Sequence, residues 1–252
     1  MTAPERAGTT AVITGGARGF GKAFGEALAA AGAHVVLVDL DAAAVAATAA
    51  AIRAAGGSAQ GYAGDVTDEA AMAAIMADAA SARGGIDVLI NNAGLHSDAY
   101  SRPIAQMGVG KVRRLMEVNV IGVVVCTLAA QPFMAGRAGA SIVNISSSAA
   151  HMGGTAYGTS KLAVAGLTIT FARELAGDGI RVNAISPGLI LTDTIRAELP
   201  PATHQRVKAM QFTDVDGAES DIVEAMLWLT SARARFVNGE VLRVTGGMAA
   251  GI

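Results

Sequence analysis

The chain has 252 residues, enough for one domain with a substantial core, and its net charge of -2 leaves no basic excess to make a nucleic acid the principal partner. Hydrophobic residues make up 52% and charged residues only 16%, much of the apolar share being alanine, so closely packed helices and some apolar surface left for subunit contacts are expected. A single cysteine, Cys126, excludes an internal disulfide and a thiolate cage for a metal, and the His, Asp and Glu residues show no paired metal-ligand spacing.

Residues 1–8 carry no apolar signal core. The longest apolar run, Val118 to Ala130, includes Asn119 and Thr127 and reads as too short and too polar to span a bilayer. A soluble, cytoplasmic protein without a membrane partner is the expectation.

Thr10 to Thr14 is β-branched and apolar and reads as a short buried strand. It runs into a turn, Gly15-Gly-Ala-Arg18-Gly19-Phe20-Gly21, and then a helix over Lys22 to Ala31. Strand, glycine turn and helix in this order form a phosphate-site pattern: glycines let the backbone turn tightly, and the helix N-terminus offers unpaired N–H groups and partial positive charge. The spacing Gly-x-x-x-Gly-x-Gly is a variant of the usual dinucleotide fingerprint. A second strand, His34 to Val38, ends in Asp39, placed to accept hydrogen bonds from an adenosine ribose and to repel a 2′-phosphate. NAD is therefore expected over NADP. Arg18 dissents, as a cation in the turn that suits either a 2′-phosphate or solvent.

Asp41 N-caps an alanine-rich helix to Ala55, which Gly56 and Gly57 stop. Ser58 to Ala63 is a third strand, and Asp68 caps a helix to Ala82. A fourth strand, Ile86 to Ile90, leads into Asn91-Asn92-Ala93-Gly94, residues suited to a close backbone approach. Lys111 to Gln131 reads as one long helix with Asn119 inside its apolar face. Ala140 to Ile145 is a fifth strand ending in Ser146-Ser147-Ser148.

In the next helix Tyr157 and Lys161 are four apart and share a face. A tyrosine hydroxyl ordinarily titrates near pH ~10, and a cation one turn away favours the phenolate, so the pair suits proton exchange with an alcohol or ketone. Ile180 to Ile185 is a sixth strand closed by Ser186-Pro187-Gly188, Asp221 to Thr230 a helix, and Val241 to Val244 a last strand before Gly246-Gly247. Alternating strands and helices at this spacing predict an α/β fold, a single-domain, Rossmann-type doubly wound parallel sheet of about seven strands flanked by helices, with ligands at the strands' carboxyl ends. Residues 189–213 are expected to cover the substrate.

Taken together, Thr14-Gly15-x-x-x-Gly19-x-Gly21, Asp65-Val66, Asn91-Asn92-Ala93-Gly94, Tyr157-x-x-x-Lys161, Pro187-Gly188 with Thr192, and Asn238 to Leu242 with Gly246-Gly247 occur in the order of the short-chain dehydrogenase/reductase family, which the chain resembles over nearly its whole length. The resemblance implies an oxidoreductase passing hydride between a nicotinamide cofactor and a secondary alcohol or ketone. Tyr157 is then the general acid/base, Lys161 tunes it and holds the nicotinamide ribose, Ser147 hydrogen-bonds the substrate oxygen, and Asn119 holds a water linking Lys161 to solvent. Cofactor contacts are implied for Gly15, Arg18, Gly19, Phe20, Gly21, Asp39, Asp65, Val66, Asn92, Ala93, Gly94, Tyr157, Lys161, Pro187, Gly188, Ile190 and Thr192. A homotetramer built through the helices around Asn119 and Tyr157 and the last strand is also implied.

One departure stands out: Ser147 and Tyr157 are ten apart, closer than in many members, which leaves Ser146 and Ser148 in contention. His96 and His151 fall in loops expected to border the pocket, as substrate contacts or plain surface residues. An NADP-dependent ketoreductase, an epimerase or dehydratase of the extended relatives, and a non-catalytic dinucleotide-binding regulator remain the alternative readings. The pocket walls, from Leu95 to Pro103, after Ser148, and over the 189–212 segment with Leu191, Ile195, Leu199, Met210 and Phe212, favour an apolar or cyclic substrate.

Overall fold

Among the residues described by the computed structural model, 5–96, 100, 102–191 and 201–249, seven strands form one parallel sheet. They are β1 (Thr10–Thr14), β2 (His34–Asp39), β3 (Ser58–Ala63), β4 (Val88–Asn91), β5 (Ser141–Ile145), β6 (Arg181–Pro187) and β7 (Val241–Val244), in the spatial order β3-β2-β1-β4-β5-β6-β7. The order reverses between β1 and β4, and the crevice at their carboxyl ends is where a doubly wound sheet receives ligands.

Apolar runs such as Val35 to Val38 are buried along their length because both faces of the sheet are covered. Alternate side chains feed two cores. One face packs Phe24 and Leu28 of α1 (Gly19–Ala30), Val45 and Ile52 of α2 (Ala42–Ala54) and Met226 of a later helix, Glu219–Leu229, against Ile13, Leu37 and Ile90. The other packs Met72 and Met76 of α3 (Glu69–Ser81), Cys126 and Met134, and Phe171 against Val12, Leu89 and Ile142.

The helix expected over Lys111 to Gln131 is longer and is interrupted. A short α4 (Ile104–Met107) precedes α5 (Val109–Met116), a wide π turn spans Glu117–Ile121, and α6 (Gly122–Met134) follows. The whole run Val109–Met134, longer than the apolar stretch 118–130, is long and apolar enough to cross a membrane by length and composition, and half of its most apolar window is buried inside the fold.

Beyond β5 come α7 (Ala149–Met152) and α8 (Ala156–Glu174), and beyond β6 come α9 (Pro201–Lys208) and α10 (Glu219–Leu229). The caps expected from Asp41 and Asp68 are formed, accepting from the amides of Ala44 and Ala71 at 3.0 Å each.

Candidate active site

The glycine turn folds as a cradle. Gly15 and Gly19 have φ of +64° and +51°, where a side chain is disfavoured. A Cβ on Gly21 would stand 2.0 Å from the Gly15 carbonyl oxygen, so the turn closes on itself only with glycine there. At Gly19, by contrast, a Cβ would meet nothing within 4 Å, so the open side of the cradle faces outward. Helix α1 starts here with no side-chain cap and no acidic residue in its first turn, which leaves its leading N–H groups for an anion. Phe20 stacks on Phe24, their centroids 6.0 Å apart, and anchors that turn to the helix.

The strand-four motif holds the cradle from behind. Thr14 Oγ1 accepts from the amides of Asn92 and Ala93 at 3.1 Å each, and Asn92 Nδ2 donates to the carbonyls of Thr14 and Gly15 at 3.0 Å. The side chain of Asn92 is therefore spent on the turn rather than pointed at a ligand.

At the end of β2, Asp39 accepts from the amides of Ala17 and Asp41 at 3.1 Å, one on each carboxylate oxygen, with further lone pairs left over. Arg18 donates to Asp41 Oδ2 at 2.6 Å. Asp65 accepts from the Thr67 amide and hydroxyl at 2.9 and 2.8 Å and from Arg114 at 3.2 Å. Desolvation pushes its pKa up, but those bonds outweigh it and hold the carboxyl below its ordinary value. Val66 is buried against Gly122, where a Cβ would come within 2.7 Å of it.

Tyr157 and Lys161 share a face of α8, with Lys161 Nζ 5.9 Å from the Tyr157 ring centroid. Lys161 is 5% exposed, its Nζ donates to the Ile145 carbonyl at 2.8 Å, and burial pulls its pKa down from 10.5 to about 8. Burial pushes the Tyr157 phenol up, and a hydrogen bond with Ser147 draws it partly back. The group that eases the phenol here is thus the serine, where the spacing alone pointed to the lysine, because desolvation raises the cost of charge on both members of the pair.

Asn119 lies in the π turn with its side-chain amide in three hydrogen bonds. Its Oδ1 accepts from the Leu95 amide at 2.7 Å, while Nδ2 donates to the Leu95 carbonyl at 3.2 Å and to Ser160 Oγ at 3.0 Å. Gly94 sits between the two side chains: a Cβ on it would lie 3.3 Å from both Asn119 Oδ1 and Lys161 Nζ. The backbone of the strand-four motif therefore reaches into the space beside Lys161, where a side chain would intrude.

The three serines separate by their bonds. Ser146 Oγ donates to the Lys161 carbonyl at 2.9 Å and its amide to Ile185 at 2.7 Å; the Ser148 amide donates to Pro187 at 2.8 Å, and both residues are buried. Ser147 is half-buried and is the one that meets Tyr157. The short connection works because Gly158 lets α8 approach α7: a Cβ there would be 2.5 Å from the Ala149 carbonyl. His151 lies 3.1 Å from Ser186 Oγ through Nε2, with its pKa lowered by desolvation and by the Arg243 guanidinium. His96 falls in the described loop but shows no bond of its own.

At the carboxyl end of β6, Pro187 is buried, the Gly188 amide donates to Val244 at 2.9 Å, and a Cβ on Gly188 would stand 2.8 Å from Thr245 Cα. Ile190 is buried and pairs with Gly217. Thr192 lies outside the described residues, as do Ile195 and Leu199. The sequence reading missed Thr14 as the pin of the cradle, Gly158, and the ion pair of Arg18 with Asp41. A glycine inside the helix, between Tyr157 and Lys161, is the signal that would have found the second.

The short chain dehydrogenase family model matches residues 9–201. An uncharacterized oxidoreductase of Mycobacterium tuberculosis strain H37Rv is 39% identical over 237 residues, covering 94% of this chain and 96% of its own. The cis-4-hydroxycyclohexanecarboxylate dehydrogenase of Sinomonas cyclohexanicum is 37% identical over 243 residues, covering 95% and 96%. The structure of 7α-hydroxysteroid dehydrogenase complexed with NADH and 7-oxo glycochenodeoxycholic acid superposes with a TM-score of 0.89 at 34% identity, covering 97% of this chain and 96% of that one. A matching family profile, full-length relatives and a shared parallel sheet agree with the cradle and the Ser147, Tyr157 and Lys161 cluster, and the chain is an oxidoreductase of the short-chain dehydrogenase/reductase family.

Proposed function

We propose that the protein is an NAD(H)-dependent dehydrogenase interconverting a secondary alcohol and a ketone, with Tyr157 as general acid/base. The observation that carries this is the meeting of Ser147, Tyr157 and Lys161 beside a glycine cradle at the sheet's carboxyl edge. When bound, the nicotinamide supplies or accepts the hydride.

The chain's own residues do the rest. Gly15, Gly19 and Gly21 with the start of α1 hold the pyrophosphate, and Asp39 accepts from the adenosine ribose hydroxyls. Asp65 and Val66 flank the adenine, Ala93 and Gly94 line the central crevice, and Pro187, Gly188, Ile190 and Thr192 serve the nicotinamide amide. In alcohol oxidation the Tyr157 oxygen takes the hydroxyl proton; in ketone reduction it returns it. Ser147 donates to the substrate oxygen and steadies its charge. Lys161 holds the nicotinamide ribose, and its ammonium, 5.9 Å from the Tyr157 ring centroid, adds to the Ser147 bond in favouring the phenolate; Asn119 holds a water linking Lys161 to solvent.

Met107, Leu115 and Ala156 form an apolar wall with Leu95, Tyr100, Val112 and Tyr157, and this favours an apolar or cyclic substrate under a cover contributed by residues 189–213. The relatives named above for a cyclohexane carboxylate and a steroid are of that kind. Ile121 and Leu128, seven apart, and Leu162 and Ile169, seven apart on α8, are exposed apolar residues, as is Phe236 before β7. These patches suit burial in a homotetramer, and the buried free thiol of Cys126 suits the reducing cytoplasm.

The test is NAD+ reduction, followed as NADH absorbance over a panel of cyclic secondary alcohols, by wild type and Tyr157→Phe. Turnover by wild type that falls at least ~100-fold in the variant is expected; equal rates would remove Tyr157 from its role.

A further inference from the structure

Three charged side chains meet where β2 ends beside the glycine cradle. Asp39 has one backbone amide on each carboxylate oxygen, and one of those amides belongs to Asp41. Asp41 divides its own carboxylate between two tasks. Its Oδ1 caps α2 through the Ala44 amide at 3.0 Å, and its Oδ2 binds Arg18 Nη2 at 2.6 Å.

Arg18 belongs to the cradle itself, at the residue immediately before α1, and its side chain is 72% exposed. It is the cation within the turn, and the next one along, Lys22, pairs with Glu26 at 3.8 Å. A 2′-phosphate on an adenosine ribose carries about -1.5 to -2 charges near neutral pH and needs a cation free to meet it. The guanidinium that stands nearest by sequence and fold is held by the Asp41 carboxylate instead, and beside that pair the ribose would face one more negative charge at Asp39.

We propose that Asp41 is a specificity-determining residue for the cofactor, keeping Arg18 away from the ribose 2′-position and so favouring a dinucleotide with a free 2′-hydroxyl. Asp39 acts on the ribose directly. Asp41 acts by occupying the counter-ion. The proposal rests on the dinucleotide-binding reading above, and it goes beyond that reading by dividing the preference between two acids. Because the cap and the ion pair use different oxygens, they can be separated: Asp41→Asn keeps an oxygen for the Ala44 amide and removes the charge that holds Arg18.

The experiment is calorimetric binding of NAD+, NADP+, 5′-AMP and 2′,5′-ADP, without substrate, to wild type, Asp41→Asn, Asp41→Ser, Arg18→Ala and the Arg18→Ala/Asp41→Asn double variant. Asp41→Asn and Asp41→Ser, both with side chains that cap helices, are expected to tighten NADP+ and 2′,5′-ADP about tenfold while leaving NAD+ and 5′-AMP within about twofold. The gain should vanish in the double variant and shrink as salt is added. An unchanged NADP+ affinity in both Asp41 variants, or a gain that survives loss of Arg18, overturns the proposal. Wild type binding NADP+ more tightly than NAD+ would overturn the NAD reading alone, since the Asp41 comparison would still be decided by its own ratio; binding of neither nucleotide would overturn both.

Discussion

Lys161 stands one helical turn beyond Tyr157, its ammonium nitrogen 5.9 Å from the phenol ring centroid and tethered at 2.8 Å to the Ile145 carbonyl. The tether fixes the amine at the end of β5, so its position under the ring is set by the sheet as well as by α8.

That burial has a consequence for stability. With the folded-state pKa drawn from 10.5 down to about 8, the unfolded chain binds more protons than the folded one between those values, so this group's contribution to stability rises as the pH climbs through that window. The full gain is about 3 kcal/mol. Urea denaturation of wild type and Lys161→Met at pH 7.5 and pH 10.5 should show wild type gaining relative to the variant by roughly that amount. Parallel pH profiles would mean that the amine titrates as in water.

Ser147 carries a second prediction. Its bond draws the Tyr157 phenol down against the upward push of burial, so Ser147→Ala should move the tyrosine's titration to higher pH and cut turnover by about 10²- to 10³-fold. Ultraviolet titration of the phenolate, differenced against Tyr157→Phe, reads the first effect; steady-state rates read the second. Ser146→Ala or Ser148→Ala giving the larger loss of turnover without unfolding would transfer the role.

Gly19 and Gly21 of the cradle should fail differently. Gly21→Ala places a carbon 2.0 Å from a carbonyl oxygen, and repair requires backbone movement, so a loss of about 1 to 3 kcal/mol in stability is expected. Gly19→Ala meets open space but sits at φ +51°, with a cost of about 1 kcal/mol and a methyl group directed at the anion site. Dinucleotide affinity should therefore fall in both, with the larger drop in Tm for Gly21→Ala.

Asn119→Ala strips the Leu95 amide and carbonyl of their partners at once. About 1 to 3 kcal/mol of stability should be lost, together with faster amide exchange at Leu95. Hydrogen exchange at Leu95 unchanged from wild type would show that the loop is held by other means.

Glutamates at Leu162 and Ile169 leave the folded subunit's core untouched, since both side chains are 55% exposed. In a tetramer assembled through α8 they would bury charge, and sedimentation of the double variant at micromolar concentration should show a smaller species with unchanged circular dichroism. A wild-type monomer would exclude the assembly altogether.

Much of the fold could be read from the chain because its strands are apolar runs punctuated by glycine and acidic residues. β3 and β7 fall on the expected residues, and the caps at Asp41 and Asp68 form as their positions indicate. β4 starts at Val88 because Asp87 turns to polar work, accepting from the Thr10 amide at 2.8 Å and from Arg137 at 2.8 and 3.0 Å. The π turn was invisible, since an extra residue in an apolar helix leaves its composition unchanged. In the site, Tyr157 and Lys161 announce themselves by spacing, whereas the choice among the three serines depends on which backbone groups of β6 claim their neighbours. The pairing of Arg18 with Asp41 spans 23 positions and no periodicity links them.

The wide turn at Glu117–Ile121 sets the angular phase between the two halves of the helical rod it interrupts. Each residue advances an ordinary helix by about 100°, so deletion of a single codon in this stretch would let the coil tighten and swing α5 about a quarter of a revolution against α6. Elsewhere a surface loop absorbs such a loss. Here the surplus residue is the hinge pin, and its removal would unthread Asn119 from Leu95 while leaving every strand of the sheet in register.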